Sequence, residues 1–93
     1  MTIGVLEMDF LIPGARSLKE KRRALKGLKQ QMRTRYNCSV AETDHMDLWQ
    51  RAHITVCVVS NDSRHANQQL NEIGRFAEQA RDAELVDYRI EML

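Results

Sequence analysis

The sequence predicts an α+β fold in which two helices cover one face of a four-stranded antiparallel sheet. Three observations carry the prediction. Apolar residues alternate at period two near both ends of the chain. Two internal segments carry apolar residues at helical spacing, each opened by a residue suited to an N-cap. Between them lie two further strand-like segments joined by a short polar turn. The order is βαββαβ. Two right-handed crossovers joined by a hairpin place the first and third strands at the centre, which is the ferredoxin-like arrangement.

The first strand is read over Ile3–Ile12. Gly4, Leu6, Met8, Phe10 and Ile12 form an apolar set that should face the core; Ile3, Val5, Glu7, Asp9 and Leu11 form the other set. Pro13-Gly14 ends the strand. Ser17-x-x-Glu20 is a capping box that opens the first helix. Leu18, Leu25, Leu28, Met32 and Tyr36 share one stripe of it, and Asn37 suits its end. Cys38–Thr43 reads as a short second strand, and Asp44-His45-Met46-Asp47 as a turn. The third strand ends in Ile54–Val59, a nearly continuous apolar run rich in β-branched residues, as a central strand requires.

Ser60-Asn61-Asp62-Ser63 supplies the second N-cap. Ala66, Leu70, Ile73, Ala77 and Ala80 mark the buried stripe of the second helix, with Phe76 beside it. The last strand is read over Leu85–Leu93, with Val86, Tyr88, Ile90 and Met92 on one face and Asp87, Arg89 and Glu91 on the other. At this length residues 1–93 are expected to form one domain.

Composition limits the functional classes. Hydrophobic residues make up 43% of the chain and charged residues 29%, which suits a packed domain rather than a disordered one. No apolar run approaches the roughly 20 residues that span a bilayer. The N-terminus reads directly into a strand with no signal-like region, so a cytoplasmic protein is expected. Cys38 and Cys57 belong to no CxxC pair and read as small hydrophobes in a reducing compartment.

The charge distribution is uneven. Nine of the fourteen lysines and arginines lie between Arg16 and Arg35, with Glu20 the one acid among them. That segment carries +8, and the other 73 residues sum to −7. At about 100° per residue, Lys19, Arg22, Arg23, Lys26, Lys29 and Arg33 form a band spanning roughly 120° beside the apolar stripe. Arg16 in the preceding loop extends it. Cations in the first turns oppose the helix dipole, so stability alone would favour acids there. The second helix differs: Glu72, Arg75, Glu78, Arg81 and Asp82 can neutralise one another. A positive band on a rigid helix suits phosphates, which lysine and arginine bind without reading sequence. Its apolar stripe is needed for the core, which argues against membrane insertion.

The remaining candidates are weaker. The third strand has no aromatic, so base stacking on the sheet in the manner of an RRM module is not expected. Trp49, flanked by Arg51, is a candidate for base stacking or for anchoring a partner; packing against the sheet end is the favoured reading. Glu42, Asp44, His45 and Asp47 read as turn chemistry with an ion pair to Arg51, since their spacing fits neither an EF-hand nor a zinc motif. Glu7 and Asp9 should point away from the helices, with Arg89 offsetting them. His53 and His65 read as isolated. No catalytic residue, metal site or cofactor is expected. Ile3, Val5, Cys57 and Val59 on the open sheet face suggest a homodimer formed sheet to sheet.

Three stretches carry a family resemblance: LIPGARSLKEKRRALKGL (11–28), SVAETDHMDLWQRA (39–52) and VVSND (58–62). They resemble the YlxP-like family of small bacterial proteins, over essentially the whole chain. The resemblance implies a ferredoxin-like fold. Genes of that family commonly lie near those for transcription and translation factors, which implies work on RNA or the ribosome. It supplies no catalytic residues. The expectation is a non-enzymatic protein that contacts RNA or a ribosomal subunit through Arg16, Lys19, Arg22, Arg23, Lys26, Lys29 and Arg33. The alternative is an interaction or homodimeric scaffold module whose basic helix meets an acidic protein.

Overall fold

The computed structural model describes every residue from Met1 to Leu93. The elements run β1 (Thr2–Leu11), α1 (Leu18–Arg35), β2 (Ser39–Asp44), β3 (Arg51–Ser60), α2 (Ser63–Glu78) and β4 (Glu84–Met92). The sheet order is β2-β3-β1-β4, and each neighbouring pair is antiparallel. This is the ferredoxin-like topology, with the two most apolar strands at the centre. No helix is long and apolar enough to cross a membrane.

Alternation along β1 sets the core. Leu6, Met8 and Phe10 are buried and lie opposite Val56, Ile54 and Ala52 of β3. Leu25, Leu28 and Met32 of α1 and Ala66, Leu70, Ile73 and Ala77 of α2 join the same cluster, so both helices lie on that face. Gly4 belongs to the inward set but contributes no side chain. A Cβ there would stand 2.7 Å from Leu70 Cδ1, so the glycine is what lets α2 approach the sheet. The other sheet face has no covering layer.

The helix starts follow local chemistry. The Ser17 hydroxyl accepts the Glu20 amide at 3.1 Å, and the Asp62 carboxylate accepts the Arg64 amide at 2.9 Å. The first helix ends one residue before the expected stop, with Tyr36 as its C-cap. The Tyr36 ring meets Phe76 edge to face at 6.2 Å, and the Arg35 guanidinium covers Phe76 at 4.6 Å. These contacts fix the end of α1 against α2.

Two details differ from the alternation read in the sequence. Cys38 precedes β2 rather than opening it, and its thiol lies 3.6 Å from the Met32 carbonyl oxygen. Burial pushes its pKa up. In β4 a register shift opposite Asp9 and Phe10 pairs Phe10 with Leu85. Leu85 therefore packs on the core in place of Val86, which is exposed. The extra residue of a β-bulge inverts the in-and-out pattern on one side of it.

Candidate nucleic-acid interface

The sequence of α1 sorts its charges by face. Leu25, Leu28 and Met32 hold the helix on the sheet. That packing turns Lys19, Arg22, Arg23 and Lys26 outward to solvent, with Lys29 half-buried beside them. None of these five, nor Arg16, lies within 4.0 Å of a carboxylate. The fold gives them no direct ion pair. The mixed charges of α2 do not close on one another either, so the two helices differ in net charge rather than in ion pairing.

Two members of the predicted band have other work. Arg33 Nη2 donates to the Val40 carbonyl at 2.8 Å. It ties α1 to the edge strand β2 and is only partly free for a ligand. Arg23 lines a cleft of about 640 Å³ between the start of α1 and the α2–β4 connection, where Arg81 and the carboxylates of Glu20, Glu78, Asp82 and Glu84 also stand. An anion would meet those acids, so the surface best suited to phosphate is Lys19, Arg22 and Lys26, with Arg16 and Lys29 at its margins.

Lys21 corrects the simple picture of a uniformly solvated basic segment. Only 1% of its side-chain surface is exposed. Its ammonium lies 2.6 Å from Glu42 Oε2 and donates to the His45 carbonyl at 2.7 Å. No other polar group serves that carboxylate oxygen. Glu42 thus pairs with Lys21 and not with Arg51, as read from sequence proximity. The signal was present: Lys21 sits three residues after Leu18 and four before Leu25, inside the apolar stripe.

The β2–β3 loop is held by that lysine. His45 adopts a left-handed backbone, φ 61°. Its carbonyl accepts Lys21 Nζ and the Leu48 amide, and its own amide donates to Asp44 Oδ1 at 2.7 Å. These bonds stabilise a conformation that a non-glycine residue rarely takes. On the far side of the loop, Gln50 Nε2 donates to the carbonyls of Pro13 and Ala15. Trp49 does not pack on the sheet end as favoured from sequence; it is 52% exposed, and Arg51 beside it is exposed too.

The uncovered sheet face carries a second charged group. Glu7 and Asp9 of β1 do turn away from the helices, and Arg89 does pair with Glu7, at 2.6 Å. His53 is not isolated. Its Nδ1 lies 2.8 Å from Asp9 and its Nε2 3.1 Å from Glu7. An ionised carboxylate only accepts, so a carboxylate at each ring nitrogen favours the doubly protonated imidazolium over the neutral ring. The Asp9 hydrogen bond, followed by that of Glu7, holds His53 above the ordinary imidazole range against the opposing effect of burial. The His53 and then Arg89 hydrogen bonds hold Glu7 below the ordinary carboxylate range. With each nitrogen aimed at its own carboxylate, the three do not present a ligand set for a metal ion. Cross-strand pairing of Asp9 with His53 builds this group, and strand register is what sequence separation hides.

Residues 3–90 match the family model described as protein of unknown function DUF503. Over 74 residues, 80% of each chain, the protein is 32% identical to the uncharacterized protein YlxP of Bacillus subtilis (strain 168). That relative accords with the resemblance carried by the loop and helix motifs. The chain belongs to the DUF503 family.

Proposed function

We propose that this protein is a binding protein rather than an enzyme, and that it contacts RNA or a ribosomal subunit in the cytoplasm through the solvent face of α1. One observation carries the reading: Lys19, Arg22 and Lys26 stand exposed on a rigid helix with no carboxylate within 4.0 Å. A folded protein gains nothing internal from such a row, and phosphates would replace its counterions with a favourable entropy of release. The test is co-sedimentation of the protein with purified small ribosomal subunits, and titration of a structured ribosomal RNA fragment, across a range of salt. About four phosphate contacts should cost roughly a hundredfold in affinity between 50 and 200 mM salt. Binding that is absent at low salt, or insensitive to salt, would refute the reading.

A second reading rests on a different surface. Ile3 and Val5 pair with Val59 and Cys57 on the uncovered sheet face, and Val59 is 67% exposed. That apolar strip favours a homodimeric scaffold. Light scattering at high concentration would show a mass of two chains, and a monomer would remove this reading.

A further inference from the structure

We propose that the β2–β3 loop stacks the Trp49 ring on an unpaired base, so that the RNA bound by α1 is one with single-stranded or looped nucleotides beside its phosphates. This rests on the reading of α1 as the phosphate-binding face and names the kind of RNA it takes.

The loop presents an apolar tip to water. Met46 is 57% exposed, Leu48 39% and Trp49 52%. Three large apolar side chains within four residues of a hairpin turn run against the polar chemistry that turns ordinarily carry. An indole left half bare by its own fold is available as a stacking surface.

The tip is also rigid and well placed. Lys21, between the exposed Lys19 and Arg22, holds the His45 carbonyl at 2.7 Å. Gln50, next to Trp49, holds the Ala15 carbonyl at 3.1 Å, and Arg16 follows Ala15 in the chain. The Ile12 amide donates back to the Gln50 carbonyl at 2.9 Å. One tie runs to the first turn of α1 and the others to the segment that leads into it, so the hairpin is anchored beside the start of the basic helix. A platform fixed in advance loses little entropy when a ligand stacks on it.

The surrounding charges favour a base over other occupants. Asp44 and Asp47 flank the tip and repel phosphate from it, so the tip takes a neutral ring while α1 and Arg16 take the backbone. The same two carboxylates oppose insertion into an anionic membrane and docking of an acidic peptide. Bases in a duplex are already stacked on one another, which leaves the indole nothing to bind there. The sheet face has no aromatic on β1 or β3 that faces away from the helices, so stacking belongs to the loop.

Trp49 is the only tryptophan, so its fluorescence reports on its own surroundings. The probes are an RNA hairpin with an unpaired adenine loop and a fully paired RNA of equal length, at one salt concentration. Phosphatidylserine-containing vesicles and a polyglutamate peptide serve as the other two ligands. The hairpin should quench the fluorescence and the duplex should leave it unchanged. Trp49→Ala should weaken hairpin binding about tenfold and leave duplex binding unaltered, and Trp49→Phe should restore most of the loss. Because the ring is half exposed, these variants should keep the native circular dichroism.

If Trp49→Ala binds the hairpin as well as the native protein does, while Lys19, Arg22, Lys26→Glu loses both RNAs, the stacking proposal is overturned and the α1 reading stands. If the native protein binds neither RNA, both fall. A fluorescence change with vesicles or polyglutamate in place of RNA would likewise overturn the proposal and assign the loop to a lipid surface or a protein.

Discussion

Lys21 carries its ammonium into the junction between α1 and the β2–β3 hairpin, where almost none of the side chain is exposed. A buried charge of this kind is tolerated because Glu42 and the His45 carbonyl replace its hydration. Lys21→Met would leave Glu42 facing an apolar wall and should cost about 3 kcal/mol in urea unfolding. Lys21→Met with Glu42→Leu should recover most of that loss, since two apolar groups can fill the same volume. Its place inside the apolar stripe was the one local signal of burial; lysines are assigned to solvent by default, and the partner that makes burial tolerable lies 21 positions along the chain.

His53 makes a pH prediction of its own. Its folded pKa is raised, so its contribution to stability is complete below the ordinary value of 6.5 and fades as pH rises through the folded value. Glu7 is lowered, so its contribution is complete above the ordinary 4.5 and fades as pH falls through its folded value. The cluster should therefore stabilise most between pH 4.5 and 6.5. Melting temperatures of the native protein and His53→Gln, compared from pH 5 to 9, should converge on the alkaline side. A difference that is constant across this range would contradict the assignment of charge to His53.

At the scale of elements, the order and type of all six were readable from period and caps, because those signals are local. The β4 register was not. The bulge that puts Leu85 on the core is set by pairing with Phe10, and nothing within the strand announces it. The close approach of α2 to β1 was hidden for the same reason, since Gly4 looked like one more member of an alternating strand. Gly4→Ala would bring a methyl to 2.7 Å from Leu70 and 3.3 Å from Val58. The substitution should destabilise by about 1–3 kcal/mol, as overpacking does, and thermal unfolding measures it directly. Unchanged stability would mean that the Leu70 side chain, or α2 with it, gives way to the methyl without cost.

Taken whole, the molecule is elongated, 42 × 21 × 18 Å, and its charge is divided between a +8 segment and a −7 remainder. The basic helix was legible from composition and wheel alone. Its division into a free row, a strut and a cleft wall was not, because that depends on what β2 and the α2–β4 connection place beside it. Arg33 is drawn to Val40, and Arg23 faces the acids of the cleft. The measurement that bears most directly on the account is the salt dependence of RNA binding for the native protein and for Lys19, Arg22, Lys26→Glu, with circular dichroism to check the fold. The native protein should show a log–log slope of roughly −3 to −4, and the folded variant should bind no better than a neutral control. A folded variant that keeps the native affinity and slope would contradict the account and move the search to the uncovered sheet face.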